Sequence, residues 1–284
     1  MLGTAASFIV GFKNAQTYSR TAEAQQIWCS ITSTSRYWGL ICLDFPVSGN
    51  AATDLVTRHF AWLTAVRYQL RTPRVWEAAA RAANVEYRKR LFNIEEQATA
   101  LADSLETFLP HEAVAALVEA GDIPAALMRQ QSLAIRRLYA SQEIAVLHHT
   151  EMQKTLKELI DQHARAQRIK DYPYPRQYAV INSTFVWSFA LLLPLGVVKE
   201  FAQLAVQGAM HQQMAWLAVP FSVLLAWMYV ALDQVGESTE NPFEGGANDV
   251  PITHICRCIE YELRTMLGQS GLHEPALPRS HILL

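Results

Sequence analysis

The chain has 284 residues, with 24 lysines and arginines against 26 aspartates and glutamates, and a formal net charge of -2. That balance argues against nucleic acid as a partner, because no basic excess exists to neutralise phosphates. Apolar residues make up 51% of the chain and concentrate in its last third, while residues 13–176 are polar and charge-rich. A mean hydropathy just above zero therefore hides a soluble-like part joined to a lipid-soluble part.

The N-terminal stretch MLGTAASFIVGF is apolar but has no basic n-region, and Phe12-Lys13 is no cleavage site, so it does not read as a signal peptide. It is also shorter than the roughly 20 residues needed to span a bilayer. It reads as the tail of a helix whose beginning is missing. Two stripes run along it. Gly3, Ser7 and Gly11 form a small-residue face on which helices can approach closely. Beside them lie Thr4, Phe8 and Phe12. A step of four residues turns about 40° and rises about 6 Å, so these three side chains form a ladder about 12 Å tall. A ring of such helices would stack them around an axis, where hydrophobic constrictions gate by dewetting.

Residues 13–172 read as helical. Pro110 and Gly121 bracket a short helix, PHEAVAALVEAG, by the N-terminal proline and C-terminal glycine asymmetry. Asp122 is a cap for the next helix, which carries Pro124 in its first turn. Ser141 to Lys170 reads as one long amphipathic stretch with Ile144, Leu147, Met152, Leu156, Leu159 and Ile160 on its apolar side. The tail after Gly271 is expected to be disordered.

Two segments read as membrane spans, residues 179–198 and 214–232. Neither contains a charged residue, and each is long enough to cross the hydrocarbon core. Pro194 and Pro220 interrupt them, as transmembrane helices tolerate. The short connection of residues 199–213 makes them an antiparallel hairpin. Arg165, Arg168, Lys170 and Arg176 crowd the entrance to the first span, while the connection has only Lys199. The positive-inside rule then places residues 13–176 and the C-terminus in the cytosol and the connection outside. The expected organisation is a neck helix segment (1–12), a cytosolic helical region (13–178), the hairpin (179–232) and a cytosolic C-terminal segment (233–284). The fold class is all-α, an integral membrane protein of the inner membrane.

No catalytic or metal-binding constellation stands out. Cys29, Cys42, Cys256 and Cys258 form no CxxC pair and no zinc spacing, and they read as reduced structural thiols. His148 and His149 are adjacent and point about 100° apart on a helix, so they are not an i, i+4 metal pair. There is no Ser/His/Asp set and no phosphate loop. The chain does not read as an enzyme.

Three motifs resemble the bestrophin family. GFKNAQTYSRTAEAQQIW resembles the signature after the pore helix, with Gly11, Phe12, Lys13, Asn14, Tyr18, Arg20, Glu23 and Trp28. The resemblance resumes at YPYPRQY and LLLPLGVV. It is strongest at NPFEGGANDVPITHICRCIEYEL, through Pro242, Phe243, Asn248, Asp249, Pro251, Cys256, Arg257, Ile259 and Glu260. The bacterial branch fits best. There are departures: Thr21 and Ala22 stand where the family often has bulky aromatics, Gln25 for a usual arginine, and Glu244 for a usual glycine. The family's first transmembrane helix and the start of the pore helix are absent, about 60 residues judged from the resemblance and the length of a spanning hairpin.

The resemblance implies a homopentamer around one pore, conducting chloride or other small monovalent ions. It assigns the upper neck to Thr4, Phe8 and Phe12, and a cytosolic aperture to Tyr174, between two prolines. Animal members are calcium-activated, using a dense acidic run after the Pro-Phe pair. Here that run is Glu244, Gly245, Gly246, Ala247, Asn248, Asp249. Two acids are few for the six to eight oxygens calcium takes, so no cofactor is expected and Asp249 reads as a helix cap. The partners expected are further copies of the chain, lipid and small inorganic ions. The alternative is a membrane-anchored helical scaffold without a pore.

Overall fold

The computed structural model describes residues 2–46, 49–77, 86, 94–207 and 216–274. The described residues are helical, with no strand among them. In chain order the helices are α1 (Leu2–Asp44), α2 (Gly49–Arg71), α3 (Glu95–Ala98), α4 (Leu101–Leu105), α5 (His111–Glu119), α6 (Ile123–Ala140), α7 (Val146–Asp171), α8 (Arg176–Gln207), α9 (Ala218–Ser238) and α10 (Ile252–Met266). They form two compact units. One comprises residues 1–22 and 172–241, the other residues 23–171 and 242–284. Helix α1 contributes to both.

The first unit contains the start of α1 and the helices α8 and α9. Pro173 and Pro175 keep the chain out of helix before α8, because the helical region is disfavoured for the residue ahead of a proline. Helix α8 then runs through Lys199 to Gln207, further than the expected span end at Val198. Lys199 does not stop it, because a long side chain can carry its charge to the membrane interface while the backbone stays helical. Pro194 lies inside α8, but Pro220 falls in the first turn of α9. There its missing N–H has no intrahelical partner to lose, so Pro220 begins the helix rather than interrupting it. Residues 208–213 of the expected connection, and Met214 and Ala215 of the expected second span, lie outside the described residues. Residues 177–203 and 218–238 are long and apolar enough to cross a membrane, yet only 17% of the apolar window in each is buried within the chain. A core helix of a soluble protein would be mostly buried. The outward side chains include Trp187, Leu191, Leu195, Val223 and Trp227, a surface that water would disfavour and lipid would accept.

The second unit is a helical bundle with α2 at its centre. Leu55, Val56, Phe60, Ala61, Trp62, Leu63, Val66 and Leu70 of α2 are all buried, because α2 is surrounded on nearly every side. The later part of α1 supplies Ala24, Ile27, Trp28, Ile31, Trp38 and Ile41 to the same core at helical spacing. Several polar groups inside it are paired. The Gln131 side-chain amide donates to the Leu55 carbonyl at 2.7 Å, and Gln162 donates to the Thr34 hydroxyl at 2.8 Å. His59 shares a 2.9 Å hydrogen bond with the Ser35 hydroxyl, and burial lowers its pKa to about 3.

Local capping follows the sequence in part. Pro110 precedes α5, Gly121 takes a left-handed φ of 80°, and the Asp122 carboxylate accepts from Ala125 N at 3.2 Å. The expected continuous helix from Ser141 is instead broken, with Gln142 at a positive φ of 63° and α7 beginning at Val146. Met152, Leu156 and Leu159 are buried as expected, whereas Leu147 is 77% exposed and Ile160 is 46% exposed. Both lie off the narrow stripe that a helix packed on one side can bury. The tail at residues 275–284 lies outside the described residues.

Candidate functional site

In the first unit, the start of α1 is divided lengthwise. Ala6, Val10, Lys13 and Thr17 are buried, while Thr4, Phe8 and Phe12 face outward. Phe8 is 76% exposed and Phe12 52% exposed. The ladder therefore has no partner within its own chain among the described residues.

The small-residue stripe is split. A Cβ on Gly3 would sit 3.2 Å from the Phe189 ring, so this glycine permits close approach of α8. The Ser7 hydroxyl donates to the Gly3 carbonyl at 2.9 Å and lies 2.5 Å from the Tyr229 hydroxyl of α9. Gly11 faces open space, with nothing within 4 Å of a Cβ built there. It does not take part in packing within the chain, because the buried line of α1 passes through Val10 and Lys13 instead.

That line ends in polar clasps which the motif reading did not identify as such. Lys13 Nζ donates to the Asp233 carboxylate at 2.6 Å, and both side chains are almost fully enclosed. Asn14 donates to the Leu232 carbonyl at 3.2 Å. Arg20 Nε donates to the Glu240 carbonyl at 3.2 Å, and the Thr21 hydroxyl donates to the Thr239 carbonyl at 3.1 Å. Thr21 thus closes α1 onto the end of α9. Tyr18 points outward beside the ladder and is exposed. The signal for the lysine–aspartate clasp was available, since Asp233 is the first charge after an apolar run and Lys13 the first charge in the chain.

Tyr174 is only 7% exposed, packed near Tyr178 with ring centroids 6.4 Å apart. Burial raises the pKa of its phenol, and a hydrogen bond with Asn182 opposes that. The ring assigned to the cytosolic aperture thus lies against its own unit, and the neighbouring Tyr172 is the exposed aromatic.

In the second unit, Trp28 is fully buried and Glu23 pairs with Arg168. Phe243 is an anchor at 1% exposure, and Val250 N donates to the Pro242 carbonyl at 3.1 Å, closing the intervening loop. Asp249 does not cap a helix. Its carboxylate accepts from Gly245 N at 2.7 Å and Gly246 N at 2.8 Å, and α10 starts after Pro251 with no side-chain cap. The reason is reach: Asp249 lies before the proline that opens the helix, while the loop amides point directly at it. Gly245 has φ of 86°, a backbone state that favours glycine. Asn248 is exposed. Arg257 donates to Glu95 at 2.5 Å, and Glu260 accepts from Arg264 at 2.7 Å.

Beneath this loop lies the buried guanidinium of Arg71, 3.8 Å from the Asp249 carboxylate. Burial pushes the Asp249 pKa up, and Arg71 and the two amides pull it back down. Lys170 and Glu77 form a second enclosed ion pair. Of these four residues, only Asp249 falls in one of the sequence motifs above. Elsewhere, His148 stacks on Phe45 at 4.2 Å and His149 lies against Tyr139 at 5.0 Å, so each histidine has its own aromatic neighbour. The four cysteines are free thiols, and burial raises Cys256 to about 12.

A family model described as bacterial/fungal bestrophin protein matches residues 1–265. The voltage-dependent anion channel-forming protein YneE of Escherichia coli (strain K12) is 26% identical over 284 residues, covering 100% of this chain and 81% of that protein. Its namesake in Salmonella typhimurium is 24% identical over 278 residues, covering 98% and 79%. A crystal structure of a bacterial bestrophin homolog from Klebsiella pneumoniae superposes with a TM-score of 0.76 at 23% identity, over 94% of this chain and 86% of that one. The match of the family model over nearly the whole length, together with the shared helical fold, shows that this chain belongs to the bacterial/fungal bestrophin family.

Proposed function

We propose that the chain is a subunit of an oligomeric channel that conducts chloride or other small monovalent anions across the inner membrane. The observation that carries this reading is the division of α1. One face is pinned to the hairpin by Lys13, Asn14 and Ser7, and the other presents Thr4, Phe8 and Phe12 with no partner among the described residues. Copies of the helix arranged around an axis would meet on that second face and form a hydrophobic neck. Membership of the bestrophin family and the printed function of the YneE relatives support an anion as the permeant species. A pentamer with its helical bulk in the cytosol, and no chemical reaction, completes the reading.

Calcium is not part of it. The residues after Phe243 fit that ion poorly: Asp249 already accepts two backbone amides, and the Arg71 guanidinium 3.8 Å away would repel a cation. The test is chloride efflux from liposomes holding the purified protein. Efflux that follows protein density and is unchanged by chelating calcium supports the reading. Liposomes no leakier than empty ones would overturn it. Tyr174→Ala adds a check on the aperture, since its ring is held by Asn182 and its own unit. An altered permeability ratio in that variant would place the aperture there, and an unchanged one would make Tyr174 a packing residue.

A further inference from the structure

We propose that a cavity between α2 and α10 binds a small aliphatic monocarboxylate through Arg67 and Thr64. Phe60, Thr64 and Arg67 fall at helical spacing on one face of α2, and Cys256, Glu260 and Arg264 on one face of α10. Together they bound a space of about 290 Å³. Thr107 at its rim is exposed, so the cavity opens to solvent. Arg67 and Thr64 are more than nine-tenths buried, at 6% and 7% exposure. Arg67 Nε lies 3.1 Å from Glu96 and is sealed from solvent. Its Nη1 lies 3.7 Å from Glu95, too far for a hydrogen bond, and Glu95 is itself part of the cavity wall. Neither Nη atom nor the Thr64 hydroxyl makes a hydrogen bond among the described residues, and none of the three is sealed as Nε is. These donors therefore reach the cavity that both residues line. Leaving such donors without acceptors is costly.

The chemistry of the walls selects the ligand. The carboxylates that line the cavity are each held by an arginine of α10. Arg257 donates to Glu95 at 2.5 Å, and Arg264 donates to Glu260 at 2.7 Å. Arg67 and Thr64 are left with the unmade donors. A carboxylate offers two acceptor oxygens, which suit a planar guanidinium fork and a neighbouring hydroxyl. Glu95 and Glu260, with Glu96 behind Arg67, would repel a second negative charge, so phosphate and dicarboxylates fit poorly. The rest of the wall is apolar. Phe60 and Phe108 lie with ring centroids 5.9 Å apart, and the Arg264 guanidinium sits 5.3 Å and 5.9 Å from them. A bare halide would leave these rings against water, whereas a short alkyl chain removes that surface from water. The small volume excludes a long-chain fatty acid. The site rests on the cavity and its donors and not on the channel reading.

The test is equilibrium dialysis of the purified full chain in detergent against radiolabelled butyrate, with protein-free detergent as the blank. Saturable binding of one butyrate per chain is expected. Thr64→Val, which keeps the shape and removes the hydroxyl, should weaken binding about tenfold. Arg67→Lys, which keeps the charge and loses the fork, should weaken it about tenfold or more. Should the lysine variant fail to fold, Thr107→Trp, which fills the mouth and leaves both donors in place, should abolish binding instead. No saturable binding to the wild-type protein, or undiminished binding in Thr64→Val, would overturn the proposal. So would displacement by chloride as effective as displacement by unlabelled butyrate, which would make the ligand a halide. No ion flux is measured, so failure of the channel reading and failure of this site are distinguishable.

Discussion

Lys13 Nζ lies 2.6 Å from Asp233 Oδ1 with both side chains almost fully enclosed, so the base of the outward-facing ladder is tied to the end of α9 by a buried ion pair. Lys13 Nζ also reaches the Asp233 carbonyl at 3.3 Å. Removing one partner of such a pair strands a charge, which costs about 3–5 kcal/mol, whereas replacing both with apolar groups is often near neutral. Lys13→Met should therefore lower thermal stability sharply, and Lys13→Met/Asp233→Leu should recover most of the loss. Unfolding of the two variants in the same detergent is the measurement. Equal destabilisation by the single and double changes would show that the pair is not coupled.

The neck prediction follows from the exposed ladder. Phe8→Ala and Phe12→Ala should leave the fold intact, because both rings are largely exposed within the chain. In planar bilayers each should favour the hydrated, conducting state and raise open probability. Gly11→Leu should also fold, since nothing among the described residues crowds that position. If neighbouring copies pack there, its oligomer mass in detergent should fall. Parental gating in both phenylalanine variants would remove the ladder from the pore.

Gly245 gives a stability prediction. Its φ of 86° and the closeness of the Ile94 side chain leave little room for a Cβ. A non-glycine residue held in such a region costs on the order of 1–3 kcal/mol. Gly245→Ala should lower Tm, and Gly268→Ala, also at positive φ but with open space around it, should lower it less. Equal effects would mean that crowding against Ile94 adds nothing.

His59 sets a limit on acid stability. Its ordinary pKa of 6.5 is lowered to about 3 by burial. The unfolded chain therefore binds a proton that the folded chain excludes. The contribution is fully present above pH 6.5 and is lost as pH falls towards 3, on the order of 5 kcal/mol across that window. A pH series of thermal unfolding should show this slope, and His59→Gln should flatten it. An unchanged slope would assign the acid lability to other groups.

Much of this organisation is legible in one dimension. Spacing alone reveals the ladder of Thr4, Phe8 and Phe12, since the helical repeat places residues four apart on one face. The two apolar runs reveal the hairpin because a membrane demands length and an absence of charge. Asp122 is readable as a cap because capping acts over three residues. Contacts between distant residues were decided only by the fold. Asp249 turned to the amides of Gly245 and Gly246 rather than to α10, and Tyr174 packed into its own unit, because loop closure and packing depend on what the chain brings alongside. Arg71 with Asp249 and Lys13 with Asp233 are 178 and 220 residues apart. A local pattern can mark such charges, as the apolar runs beside Lys13 and Asp233 do, but it cannot pair them, because the partner is chosen only when the fold buries both charges together.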